Sequence, residues 1–143
     1  MEKNRLMEPN KVKHLEFIQA VITRMNTNSF QIKGWCITIA SALLAIYASN
    51  KNELFILIAI APTFIFWLLD SYYLMQERKF RGLYKDIAGI STNPQQLKSF
   101  EMRPDLYIKG EYSFFNSFLS GTVATLYFPI CLILGVLFYS LKY

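Results

Sequence analysis

Three apolar blocks decide what this chain can become. They cover about 32–49 (within GWCITIASALLAIYAS and its flanks), 54–75 (LFILIAIAPTFIFWLLDSYYLM) and 118–141 (FLSGTVATLYFPICLILGVLFYSL). As helices rising 1.5 Å per residue they would be about 27, 33 and 36 Å long, against a hydrocarbon layer of roughly 30 Å. Only helices or closed barrels satisfy their backbone groups in lipid, and blocks this long and unalternating read as helices. The polar remainder is too short for a second core. The expected fold is therefore an all-α integral membrane protein, one domain over 1–143, with three transmembrane helices. No apolar run of signal-peptide length precedes the first block, so that block is expected to stay in the mature protein.

Lys and Arg set the expected orientation, because cationic loops stay on the cytoplasmic side. Lys3, Arg5, Lys11, Lys13, Arg24 and Lys33 precede the first block, and Arg78, Lys79, Arg81, Lys85, Lys98, Arg103 and Lys109 lie between the second and third. Only Lys51 and Lys142 fall on the other side. The N-terminus is expected in the cytoplasm and the C-terminus outside. This asymmetry accounts for the net charge of +5, so no stable binding of duplex DNA is expected.

The polar segments carry their own patterns. Over 10–27, Leu15, Ile18, Ile22 and Met25 recur at helical spacing, which predicts an amphipathic helix. Its apolar stripe can rest on lipid or pack on protein, and a polar face with little basic charge favours protein. NTNS at 26–29 reads as a turn, with Asn28 or Ser29 capping the first span. No breaker but Gly82 follows the second span, so its helix should run on to about residue 87, with Glu77 and Arg81 spaced for an i,i+4 pair. Asn93 before Pro94 predicts a short cytoplasmic helix over 94–103.

Asp70 stands out, because an ionisable group inside a span is a functional candidate. It lies five residues from the cytoplasmic end of its block, roughly 7–8 Å deep. Its own helix offers no nearby base, so its partner must be Arg24 or Lys33, a Tyr or Trp donor, a backbone group or another subunit. Two roles remain open: a boundary aspartate that orients helices through one ion pair, or a gate. Ser113, Ser117, Gly121 and Thr125 recur every fourth residue, a small-xxx-small ridge that lets backbones approach, with Asn116 and Ser120 alongside. The ridge suits packing within the chain, a subunit interface or a pore lining. Gly34, Thr38 and Ala42 form a weaker ridge. Arg78, Arg81 and Lys85 form a basic stripe, either topology anchors or a seat for phosphates of lipid, nucleotide or nucleic acid. Trp35, Trp67, Tyr72 and Tyr73 read as interfacial anchors, and Pro62 as a kink.

Enzymatic constellations are missing from the sequence. It has no phosphate-binding glycine loop, no GxSxG and no HExxH. Its single histidine, His14, and its two cysteines, Cys36 and Cys131 inside apolar blocks, give no metal cluster. No enzyme activity, cofactor or metal is expected.

RMNTNSFQIKGW at 24–35 and FWLLDSYYLMQERKFRGLY at 66–84 resemble small bacterial membrane proteins that accompany antiviral defence genes. The chain is similar to SLATT-type membrane effectors and to the membrane channel partner of the nucleotidyltransferase in Hailong-type systems. The resemblance implies a homo-oligomeric effector of the bacterial inner membrane. Such an effector permeabilises the membrane when a nucleotide or oligonucleotide signal from a partner enzyme changes. Three spans cannot enclose an ion path alone, so conduction needs several copies. The competing expectations are a non-conducting anchor that recruits a cytoplasmic partner, and a membrane enzyme that uses Asp70.

Overall fold

The computed structural model describes residues 9–142 and is helical with irregular connections. Lys3 and Arg5 of the basic flank lie outside the described residues. Helix α1 runs Pro9–Asn50, α2 Leu54–Ala88, α3 Phe114–Phe118 and α4 Gly121–Lys142, with 3₁₀ turns at Pro104–Leu106 and Gly110–Tyr112. Three of them, α1, α2 and α4, are long and apolar enough to cross a membrane.

The predicted break at 26–29 does not exist. Helix α1 is continuous for 42 residues, so the amphipathic segment and the first span are one rod. Asn, Thr and Ser cap a helix only where their side chains compete for its backbone. Here the Thr27 hydroxyl donates back to Thr23 C=O at 3.0 Å, and Ser29 turns its hydroxyl to Asp70 on the neighbouring helix. Neither Asn28 nor Ser29 is a cap.

Helices α1 and α2 form a long antiparallel hairpin closed by Lys51–Glu53. The tight reversal puts Lys51 in the left-handed region at φ +54°, and Asn52 Oδ1 accepts the Leu54 N–H at 3.0 Å. The hairpin buries three successive clusters. Ile56 and Ala59 pack with Leu134 at the turn end. Cys36 and Trp67 pack with Val123 and Tyr127 in the middle. Ile18 and Ile22 pack with Leu83 and Tyr107 at the far end. Helix α2 thus sits between α1 and α4 in the lower clusters, and the far end forms a polar-coated head. The apolar stripe of 10–27 is covered there by protein: Leu15, Ile18 and Ile22 are buried.

Helix α2 runs 35 residues and ends in a Schellman motif: Gly89 adopts φ +80°, and Ile90 N–H reaches Lys85 C=O at 3.1 Å. The helix predicted over 94–103 is instead irregular chain. Its amides go to tertiary partners: Gln95 N–H donates to Asp86 Oδ2 at 3.0 Å and Phe100 N–H to His14 Nδ1 at 3.1 Å. Leu97 meanwhile docks on the head cluster. Local propensity yields to those contacts.

The third span begins at Gly121 rather than 118, because the chain breaks between α3 and α4. Carbonyls along this irregular approach to the span are taken by α2. Trp67 Nε1 donates to Phe118 C=O at 3.1 Å, and Arg78 donates to Glu111 and Asn116 C=O at 3.2 and 3.3 Å.

Candidate functional site

Asp70 is the centre of a buried polar cluster at the head-side end of the spans. It is 0% exposed. Lys33 Nζ lies 2.6 Å from Asp70 Oδ2. The approach is close but off-axis, so Oδ2 gains the charge without an aligned hydrogen bond. Ser29 supplies the aligned contact: its hydroxyl donates to Asp70 Oδ1 and accepts from Lys33 Nζ at 2.7 Å. Ser29 and Lys33 are one turn apart on α1, so both face α2 together. Tyr127 of α4 brings a buried hydroxyl within electrostatic reach of Asp70 and Cys36.

Stacked aromatic rings and buried hydroxyls surround this cluster. Trp67, one turn from Asp70, stacks on Phe118 with centroids 4.4 Å apart and lies nearly parallel to Tyr127 at 6.2 Å. Ser71 and Thr63 are buried but return their hydroxyls to their own helix, to Trp67 C=O at 2.6 Å and Ala59 C=O at 2.8 Å. A buried ion pair of this kind opposes a slip of α1 along α2, since a slip would strand the Asp70 carboxylate away from its cation.

Of the expected partners of Asp70, Lys33 is the one that meets it; Arg24 is exposed and takes no part. Trp67 is no interfacial anchor, being 9% exposed in the core, whereas Trp35 at 61% faces outward. The two ridges also divide. Ser113 caps α3, Ser117 is buried, Asn116 Nδ2 donates to Gly110 C=O at 2.6 Å, and Ser120 accepts from Arg78 Nη2 at 2.9 Å. These four build the junction inside one chain. Only Gly121 and Thr125 continue outward on α4. The basic stripe is likewise not one surface. Arg78 is spent on the junction, and Arg81 pairs with the buried Glu77 at 2.6 Å. Arg81 and Lys85 share a shallow cleft of about 300 Å³ with Thr23 and Asn26.

In the head, Asp86 ties the returning chain to α2. Burial acts to raise its carboxyl, but hydrogen bonds from Tyr107 O–H, Gln95 N–H and Ser91 outweigh this and hold it below its ordinary 3.8. Burial and the same carboxylate push the Tyr107 phenol well above its usual range. Among the described residues, no group of three or more His, Cys, Asp or Glu side chains is placed to hold a metal.

Sequence reasoning missed Ser29 and Tyr127 as neighbours of Asp70. Ser29 carried a readable signal, since it lies four residues before Lys33 on a helix. Tyr127 carried none, because its partner lies 57 positions away in the chain. Comparison with protein-family models, curated proteins and solved structures finds no match.

Proposed function

We propose that this chain is a homo-oligomeric, channel-forming effector of the bacterial inner membrane. Its N-terminus and head lie in the cytoplasm and its C-terminus outside. The cytoplasmic cue is a nucleotide or oligonucleotide made by a partner enzyme. The antiphage setting follows from the resemblance at 24–35 and 66–84, and the orientation from the basic flanks.

One observation carries the oligomer: the small-residue ridges lie on the outside of the single chain. Gly34, Thr38 and Ala42 on α1, and Gly121, Thr125 and Pro129 on α4, are all exposed. A Cβ added at Gly34 or Gly121 would meet no neighbouring atom within 4 Å. The threonine hydroxyls are satisfied within their own helices, at Gly34 and Gly121 C=O. Such surfaces suit close approach by another helix in lipid. A single chain of three helices encloses no ion path, so the copies must supply it. In this reading the Asp70–Lys33 pair clamps the subunit rather than lining the path.

Gly121→Leu separates the possibilities, because the single chain has room for the added bulk. Oligomer mass in lipid nanodiscs and ion flux from liposomes should both fall in this variant. A wild-type chain that is monomeric in nanodiscs, inert in liposomes and bound to a cytoplasmic protein would replace this reading with that of an adaptor.

A further inference from the structure

We propose that the head carries a binding site for a soluble phosphate-bearing ligand, in the cavity that joins the start of α1, the end of α2 and the 95–99 segment. This deepens the regulated-effector reading by giving its regulator a place, but binding there is measurable whether or not the chain conducts. The cavity holds about 370 Å³, within the range of small-molecule sites, roughly 300–1,000 Å³. Asn10, Lys11, His14, Gln95, Lys98 and Ser99 line it.

His14 is the key observation. It is 2% exposed and is the only histidine in the chain. Its Nδ1 accepts the Phe100 N–H at 3.1 Å, so the ring proton of the neutral imidazole sits on Nε2. That Nε2 is buried and has no hydrogen-bond partner among the described residues. A buried donor without an acceptor is costly, and a ligand oxygen would relieve it.

The segment that imposes this tautomer is itself strained. Phe100 is a non-glycine residue at φ +62°, and its ring lies 5.6 Å from His14 and 6.1 Å from Phe17. Strain of this kind persists where surrounding packing enforces it, and it concentrates at ligand clamps.

Charge selects the ligand class. Lys11 and Lys98 put two cationic side chains among the lining residues. The one carboxylate that lines it, Asp86, already accepts from Tyr107 O–H and Gln95 N–H. Cationic donors, an N–H donor and the polar groups of Asn10 and Ser99 together match a tetrahedral oxyanion. The source is not a lipid headgroup: along unbroken α1, His14 lies about 22 Å beyond Ser29, the partner of Asp70 at the head-side end of the spans.

Inorganic phosphate and AMP serve as probes, titrated into the full chain in nanodiscs of zwitterionic lipid. The Nε2 ¹⁵N signal of the single histidine should shift saturably, with parallel heat in calorimetry. His14→Asn can keep an acceptor for Phe100 N–H through Oδ1 but withdraws the N–H donor from the Nε2 position, and calorimetric affinity should fall at least tenfold. Lys98→Gln, on an exposed residue, should cost at least threefold and covers the case in which His14→Asn misfolds. Absence of saturable binding of either probe overturns the proposal. So does affinity unchanged in both variants, which would move the anion elsewhere. A response that appears only when anionic lipid is placed in the disc would assign the site to headgroups and overturn it equally.

Discussion

The Lys33–Asp70 pair predicts an asymmetry between its two halves. Asp70 has no exposed side-chain surface, while Lys33 keeps 23% of its own. Lys33→Met strands a carboxylate that cannot reach water, with the Ser29 hydroxyl as its one aligned donor. Removing one partner of a buried pair costs about 3–5 kcal/mol, and this variant should fall in that range. Asp70→Asn still accepts from Ser29, and the freed Lys33 can swing its ammonium to the exposed side, as long cationic side chains do. Its cost should be about 1–2 kcal/mol, the size of a weakened buried hydrogen bond. The double variant Lys33→Met/Asp70→Leu should recover most of the loss, because apolar replacement of a whole buried pair is often neutral. Reversible unfolding in mixed micelles measures all three, with Trp67 fluorescence one turn away as the reporter. If Lys33→Met loses under about 1 kcal/mol, or Asp70→Asn loses as much as Lys33→Met, the pair is not the buried clamp described here.

Two further outcomes follow from the head. Gly82→Ala should destabilise although alanine is the better helix former by about 1 kcal/mol. Its Cβ would stand 2.7 Å from Tyr107 Cδ1 and 2.9 Å from the Tyr112 hydroxyl, and overpacking costs about 1–3 kcal/mol; a raised melting temperature for this variant would contradict that packing. Asp86 is held below its ordinary 3.8 in the folded head, so its contribution is complete above about pH 4 and is lost as pH falls through the lower folded value. Amide exchange at Gln95 should accelerate in acid relative to other head amides, and an Asp86→Asn chain should lack that extra acceleration.

Much of the architecture was legible in the apolar blocks, because hydrocarbon thickness dictates helix length directly. The run of α2 past its span was legible too, since 76–88 contains no proline and only one glycine. The 26–29 segment misled because Asn, Thr and Ser read alike in a turn and in a helix whose polar face meets another helix. The Asn93–Pro94 signal misled for a related reason: a cap motif ranks local bonds, and here Asp86 and His14 outbid them. For the candidate site, Asp70 was readable from its chemistry alone, and Lys33 was one of several partners left open for it. The fate of Arg78 was not, because the carbonyls it serves, Glu111 and Asn116, lie 33 and 38 positions away in the chain around α3.

The unbroken ladder of α1 has a mechanical consequence. From Pro9 to Asn50 the rod measures about 63 Å, and the Ser29–Lys33 contact grips it near the middle, with about 30 Å on the head side and about 26 Å on the other. Packed on α2 near both ends as well as at this grip, the rod joins the head cluster to the cluster at the Lys51–Glu53 turn through one unbroken hydrogen-bonded ladder, with no hinge between them.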